Sequence, residues 1–269
     1  MNKLTALIAT LLLAAAGAAG TAAAAGGADL RLEPAPINRL DTDSLQRGAR
    51  TFVNYCLSCH SARFMRYNRL TDLGIDIPMI EDNLMFATDK VGETMQVAMT
   101  AKDAKAWLGV PPPDLTVVAR VRGADWLYNY FLAYFQDSAS ATGWNNLVFP
   151  NVGMPHVLWS QGGVNRLVAT EYASHEQAQG AAIAAKSLVQ LVPGKGGKYV
   201  VETLVQDSPG ALTPVQYKAM VADLVNYLDY MGEPAKNKRI SLGFIVLLYL
   251  GVLFVFVYWM KREYWKDVH

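Results

Sequence analysis

The chain has 269 residues, 52% of them hydrophobic and 17% charged, with a formal charge of +1 and only two cysteines. That length supports a packed core in one or two domains, while two cysteines exclude a multi-disulfide scaffold. Residues 26–235 carry 17 Lys and Arg against 21 Asp and Glu, a formal −4, so the basic surface that nucleic acid demands is missing and no nucleic-acid partner is expected.

Residues 1–25 begin with Lys3, continue through an uncharged Leu/Ala run and end in small residues at Ala22 to Ala25. This is the pattern of a secretory signal peptide cleaved near Ala25; the apolar run is too short for the roughly 20 residues of a membrane span. Residues 29–40 contain two prolines and read as an irregular arm. The first helix follows, capped by Asp41 or Asp43, with Leu45, Ala49, Phe52 and Val53 at helical spacing up to Tyr55.

Beyond position 60, residues 63–74 read as a short helix and residues 83–100 as a clearer one. Residues 109–114 hold three consecutive prolines and are expected to be extended, since proline lacks an amide donor and restricts the residue before it. Residues 115–136 carry Trp126, Leu127, Tyr130, Phe131, Tyr134 and Phe135 and predict a buried helix with a break at Gly123. Residues 138–155, rich in Gly, Asn, Ser and Pro, predict a loop. In 162–210 the turn sequence at 193–197 precedes an alternating segment, 199–205, that reads as a strand. Thr213 and Pro214 then open a last soluble helix with an apolar face of Val221, Leu224, Val225 and Leu228.

Residues 240–260 contain no charge and as a helix would extend about 31 Å, enough to cross a bilayer. Lys236, Lys238 and Arg239 precede the run; Lys261, Arg262 and Lys266 follow it, and Tyr258, Trp259, Tyr264 and Trp265 add boundary aromatics. The basic clusters are equal in number and do not orient the span, but the signal peptide does. The expected organisation is a signal peptide (1–25), an exported domain (26–235), a transmembrane anchor (236–260) and a cytoplasmic tail (261–269), in a bacterial inner membrane with the main domain on the periplasmic side.

Cys56-Leu57-Ser58-Cys59-His60 is the attachment pattern for a c-type haem. In a helical turn, two thiols three positions apart lie on nearly one face and reach the two vinyl groups of one porphyrin, while the next residue offers its imidazole to the iron. A thioredoxin-type redox pair would not need the histidine, and a zinc site would need two further ligands. One covalent haem c is therefore expected, with Cys56 and Cys59 as attachment points and His60 as an axial ligand. The opposite iron position calls for methionine or histidine. Met154, in Asn151-Val152-Gly153-Met154-Pro155, is favoured over Met79, with His156 as a nearby rival. Arg120 and Arg122, set in apolar sequence, are candidates to meet the haem propionates.

Taken together, Arg47-Gly48, Tyr55 to Ser61, Tyr67 to Leu70, Pro112-Pro113-Asp114-Leu115-Thr116 with Arg120 and Arg122, Gly153-Met154-Pro155, and the anchor ending Met260-Lys261-Arg262 with Trp265 resemble the cytochrome c1 family. The resemblance runs from about residue 47 to the C-terminus; residues 160–210 depart from the pattern and read as an insertion. It implies a mainly α fold: a class I c-type cytochrome domain with inserted loops plus one C-terminal transmembrane helix. It further implies Met154 as the second axial ligand and a propionate contact from the Arg120/Arg122 pair. The implied role is the electron-carrying subunit of a cytochrome bc1 complex, with no catalytic site of its own. Its implied partners are cytochrome b, the Rieske iron–sulfur protein and a soluble or anchored cytochrome c, in a lipid bilayer. Rival readings are an anchored haem c subunit of a terminal oxidase or nitric oxide reductase, and an open-site haem enzyme or gas sensor.

Overall fold

A computed structural model describes residues 30, 32–97, 99–185 and 188–267; the signal peptide expected over residues 1–25 lies outside the described residues. The domain is built on two packed helices. Helix α1, Thr42–Tyr55, starts at Asp41, whose carboxylate accepts from the Ser44 amide at 2.9 Å and satisfies one of the amides a helix start leaves unpaired. Its buried face, Leu45, Gly48, Ala49, Phe52 and Val53, packs on the long C-terminal helix of the domain, Pro214–Gly232. That helix opens with a reciprocal cap between Thr213 and Gln216 and a proline in its first turn, a combination that stabilises its N-terminus. It buries Val221, Leu224, Val225 and Leu228, the face expected from its periodicity.

The arm ahead of α1 is irregular, as its prolines imply, and is fastened to the same long helix. The Arg39 guanidinium reaches the Asp229 carboxylate and the Glu233 carbonyl, and Lys218 pairs with Glu33.

Between residues 62 and 108 the structure departs from the helical expectations. Ala62–Arg66 is a strand, β1, followed by a 3-10 turn at Tyr67–Leu73 and helix α2 at Ile77–Leu84. β1 pairs antiparallel with β2, Thr94–Met95, and the Tyr67 and Asn68 amides donate to the carbonyls of Glu93 and Val91. Backbone partners about 25 residues away thus override the local apolar spacing of 63–74. The helix expected at 83–100 lies earlier because Asp76 caps it, accepting from the Met79 amide at 3.0 Å, with Pro78 in its first turn. Helix α3, Ala101–Leu108, begins afresh at a Thr100 cap.

The aromatic segment behaves as expected. Gly123, at φ +89°, separates α4, Val118–Arg122, from α5, Ala124–Leu132; such a backbone is strained for any residue with a Cβ. The chain then turns into β3, Tyr134–Gln136, which pairs with β4, Trp144–Asn146, inside the stretch expected to be loop.

After a single turn, α6, Trp159–Gly162, comes an antiparallel sheet of β5, Val164–Tyr172, β6, Val189–Pro193, and β7, Tyr199–Ser208, in the order β5-β7-β6. Helix α7, His175–Ala184, covers it through Ala178 against Val189 and Val201. The strand expected at 199–205 is therefore present and longer. Helices, counting Pro214–Gly232 as α8, hold the core, but a mainly α description is too simple: seven strands occur among the described residues. Helix α9, Lys236–Tyr264, contains the uncharged run and buries none of its residues. Its length and composition suit a single membrane crossing.

Candidate haem site

The Cys56–His60 segment winds off the end of α1. The Cys56 and Leu57 amides still donate to the Phe52 carbonyl, at 2.8 and 3.1 Å, and the Cys59 and His60 amides fold back onto the Cys56 carbonyl at 3.1 and 2.8 Å. The five residues thus occupy one tight turn that starts from a helix anchored in the core. Both thiols are free; Cys56 is buried and Cys59 exposed. Burial pushes the Cys56 thiol up to about 12, so the group is a neutral thiol.

His60 is buried, with Nδ1 2.8 Å from the Pro113 carbonyl oxygen. A carbonyl can only accept, so Nδ1 carries the proton and donates it, and Nε2 keeps its lone pair. Burial lowers the imidazole pKa and outweighs the opposing pull of the Pro113 carbonyl and the Asp114 charge, so the balance favours the neutral ring at neutral pH. The proline run supplies the acceptor because it is held rigidly beside the attachment segment. The Leu115 amide donates to Ser61 O at 2.9 Å. Asp114 accepts from the Arg63 amide at 2.8 Å and from both the amide and the hydroxyl of Thr116.

Met154 is half-buried in a turn where Asn151 takes φ +60°, a conformation asparagine tolerates better than most residues. The Tyr130 hydroxyl lies 3.5 Å from its sulfur and the Tyr134 hydroxyl 3.3 Å from its carbonyl oxygen, with the two hydroxyls 2.6 Å apart. His156, two residues on, is buried and stacks on Tyr134 at 4.6 Å and 6°, with Trp144 and Tyr217 edge-on. Burial lowers its pKa to about 4. Its ring is committed to an aromatic cage that grips the Met154 turn. Met79, by contrast, sits 54% exposed on α2, its sulfur accepting from Asn83.

Arg120 and Arg122 are both exposed, and among the described residues neither pairs with a carboxylate. The Arg122 guanidinium lies over Trp126 at 5.0 Å and Phe149 at 5.7 Å, whereas the Arg120 stem runs beside Gly232. The donor set therefore suits a covalently held porphyrin: two free thiols on one turn, a neutral imidazole with a fixed tautomer, a thioether in a braced turn, and guanidinium groups without an anion. Sequence reasoning did not single out the Pro113 carbonyl or the hydroxyls of Tyr130 and Tyr134. The two tyrosines do stand four apart, which places them together where a helix ends.

Comparison with known proteins gives a consistent picture. The model of the Cytochrome C1 family matches residues 33–182 and 197–268. The chain is 45% identical over 245 residues to cytochrome c1 of Allochromatium vinosum, covering 91% of this chain and 92% of that protein. It is 44% identical over 243 residues to a protein of Nitrosomonas europaea named ammonia monooxygenase gamma subunit, covering 90% and 91%. Cytochrome c1 of Rhodospirillum rubrum is 27% identical over 255 residues, 86% of this chain and 84% of that protein. Of the stretch 160–210 expected as an insertion, only residues 183–196 fall outside the family match; the described residues among them include the end of α7, all of β6 and part of the turn that follows it.

Proposed function

This chain belongs to the cytochrome c1 family, and from that premise we propose how its site holds the haem and where its electron comes from and goes. It is an electron-transfer haem subunit of a cytochrome bc1 complex and a single-pass membrane protein. In our reading the exported part, residues 26–235, is a class I c-type cytochrome domain on the periplasmic side of a bacterial inner membrane, carried by the anchor at 236–260.

A bound haem c supplies a one-electron couple whose potential follows from its ligands. Cys56 and Cys59 would hold it through thioethers, His60 Nε2 and the Met154 sulfur would serve as ligands to its iron, and a guanidinium of the Arg120/Arg122 pair would meet a propionate. The observation that carries this reading is the 2.8 Å contact from His60 Nδ1 to the Pro113 carbonyl. It fixes the tautomer and orients the ring, the usual arrangement for a histidine that ligates through its other nitrogen.

The residues do the work of a carrier. The core helices and the proline loop keep His60 in place, and the aromatic cage does the same for the Met154 turn, so little rearrangement accompanies a change in oxidation state. In this reading the electron arrives from a Rieske iron–sulfur protein and leaves to a soluble or anchored cytochrome c, with cytochrome b as the third core subunit. No substrate bond is made or broken on this chain.

Two experiments test the reading. Cys56→Ser combined with Cys59→Ser leaves no haem on the chain in denaturing electrophoresis; retained haem refutes the attachment. Purification in mild detergent brings cytochrome b and an iron–sulfur protein with it; oxidase, nitric oxide reductase or monooxygenase subunits in their place refute the assembly. Rapid carbon monoxide binding by the reduced protein would instead indicate an open-site haem protein.

A further inference from the structure

Tyr130, Tyr134 and Met154 share two phenolic protons among four acceptor atoms: the two phenolic oxygens and the sulfur and carbonyl oxygen of Met154. The two phenolic oxygens are 2.6 Å apart, so one proton must lie between them. If Tyr134 donates to Tyr130, the Tyr130 proton is directed at the Met154 sulfur, 3.5 Å away. If the order is reversed, Tyr134 donates to the Met154 carbonyl at 3.3 Å and the sulfur receives nothing. The distances discriminate between the two. A separation of 3.3 Å is long for O–H···O, which clusters near 2.7–2.8 Å, whereas sulfur is a larger atom and 3.5 Å is an ordinary contact for it.

The rings are held for this purpose. Tyr130 is stacked on Trp126 at 4.9 Å and 14°, and Tyr134 is pinned by His156 on its face. Both tyrosines are buried, and a dipole acts more strongly where water does not screen it. Resting on the reading of Met154 as an axial ligand, we infer that Tyr130 is a positioning residue whose hydroxyl, polarised by Tyr134, hydrogen-bonds the Met154 sulfur and raises the reduction potential of the haem.

The sign follows from charge. A thioether that gives one lone pair to iron retains another to accept a hydrogen bond. The phenolic proton brings partial positive charge towards the iron, and the oxidised form carries one more positive charge than the reduced form. The hydrogen bond therefore favours the reduced form.

The test uses the full-length, haem-loaded chain within its complex, read by redox titration and by the weak methionine-to-iron absorption band. Tyr130→Phe keeps the ring and its stacking; the band persists, and the potential falls by roughly a threefold shift of the one-electron equilibrium, the scale of one hydrogen bond. Tyr134→Phe, which removes the hydroxyl that polarises the same proton from behind, lowers it by less. In a Met154→Leu background Tyr130→Phe has no further effect. An unchanged potential in Tyr130→Phe with the band intact overturns the inference, as does an equal fall in the Met154→Leu background. Should Tyr130→Phe fail to assemble, an unchanged potential in Tyr134→Phe overturns it instead. If Met154→Leu itself leaves both the band and the potential untouched, the ligand reading fails, an outcome separate from failure of the tyrosine contact alone.

Discussion

Gly48 and Asp223 cross so closely that a Cβ built on the glycine would stand 2.1 Å from the Asp223 carbonyl oxygen and 2.7 Å from Tyr227 Cβ. Here α1 and α8 touch backbone to backbone, and the adjacent Arg47 guanidinium clasps the Asp223 carboxylate at 2.6 and 3.0 Å. The obstruction is main chain, which cannot rotate aside as a side chain could. Gly48→Ala is expected to force the helices apart and cost about 1–3 kcal/mol or more, seen as a lower thermal midpoint of the purified protein. Arg47→Ala, which removes an ion pair whose guanidinium is about half exposed, is expected to cost about 1 kcal/mol or less. Equal losses in the two variants would mean that the crossing is looser than the geometry requires.

Asp114 ties the proline loop to the segment that follows His60. Its carboxylate accepts from the Arg63 amide and from the Thr116 amide and hydroxyl. Asp114→Ala leaves these donors without their acceptor, an expected loss on the order of 1–3 kcal/mol. The same change frees Pro113 to drift from His60 Nδ1, so the electron paramagnetic resonance signal of the oxidised haem is expected to broaden. Asp114→Asn, which keeps the acceptor oxygen for the Thr116 amide, is expected to retain most of the stability.

What was legible in the sequence was local. Asp41 ahead of an apolar stripe, Thr213-Pro214 opening another, Gly123 between two aromatic turns and the uncharged run at 240–260 each carry their structural instruction within a few residues. So does Cys56 to His60, whose spacing is its chemistry. What was not legible depended on a distant partner. Ala62–Arg66 has no strong strand pattern of its own and becomes one by pairing with Thr94–Met95. In the sheet at 164–208 only the alternating part of β7 was readable; β5 and β6 are largely half-exposed and lack a sharp alternation. Pro113 and His60 lie 53 positions apart, and only the folded chain sets that carbonyl beside that ring. Asp76 with Pro78 was a readable helix start; the apolar residues after Asn83 masked it.

The hairpin of β3 and β4 provides a pH test. Asp137 accepts from the Ala139 amide at 3.0 Å and from the Asn145 side-chain amide at 2.8 Å, contacts that lower its pKa, the Asn145 bond first. The folded protein therefore holds this carboxylate ionised to lower pH than the unfolded chain does. Between those two values the unfolded state binds more protons, so this contribution to stability is present above the ordinary carboxylate range and is lost as pH falls through the depressed value. Amide hydrogen exchange at Ala139 is expected to accelerate on acidification relative to its intrinsic rate, and Asp137→Asn is expected to flatten that dependence. The group is exposed, so the effect stays local and the global transition should hardly move.

Met154 and Met79 offer the sharpest contrast, since both stand beside a proline and both have a sulfur in reach of a polar group. Met79 lies on the outer face of α2, where its sulfur meets Asn83 and solvent; Met154 has the Tyr130 hydroxyl 3.5 Å from its sulfur and the buried, Tyr134-stacked His156 two residues on. A soft ligand has to be presented reproducibly to the iron in both oxidation states, and only the second environment constrains the sulfur on several sides. Met154→Leu is therefore expected to abolish the methionine-to-iron absorption band and lower the potential, because loss of the thioether removes the ligand that favours reduced iron. Met79→Leu is expected to change neither. Covalent haem should remain in both variants, because the proposed attachment is through Cys56 and Cys59, which neither substitution touches. Should Met79→Leu abolish the band while Met154→Leu preserves it, the two residues exchange roles and the braced turn is a structural feature alone.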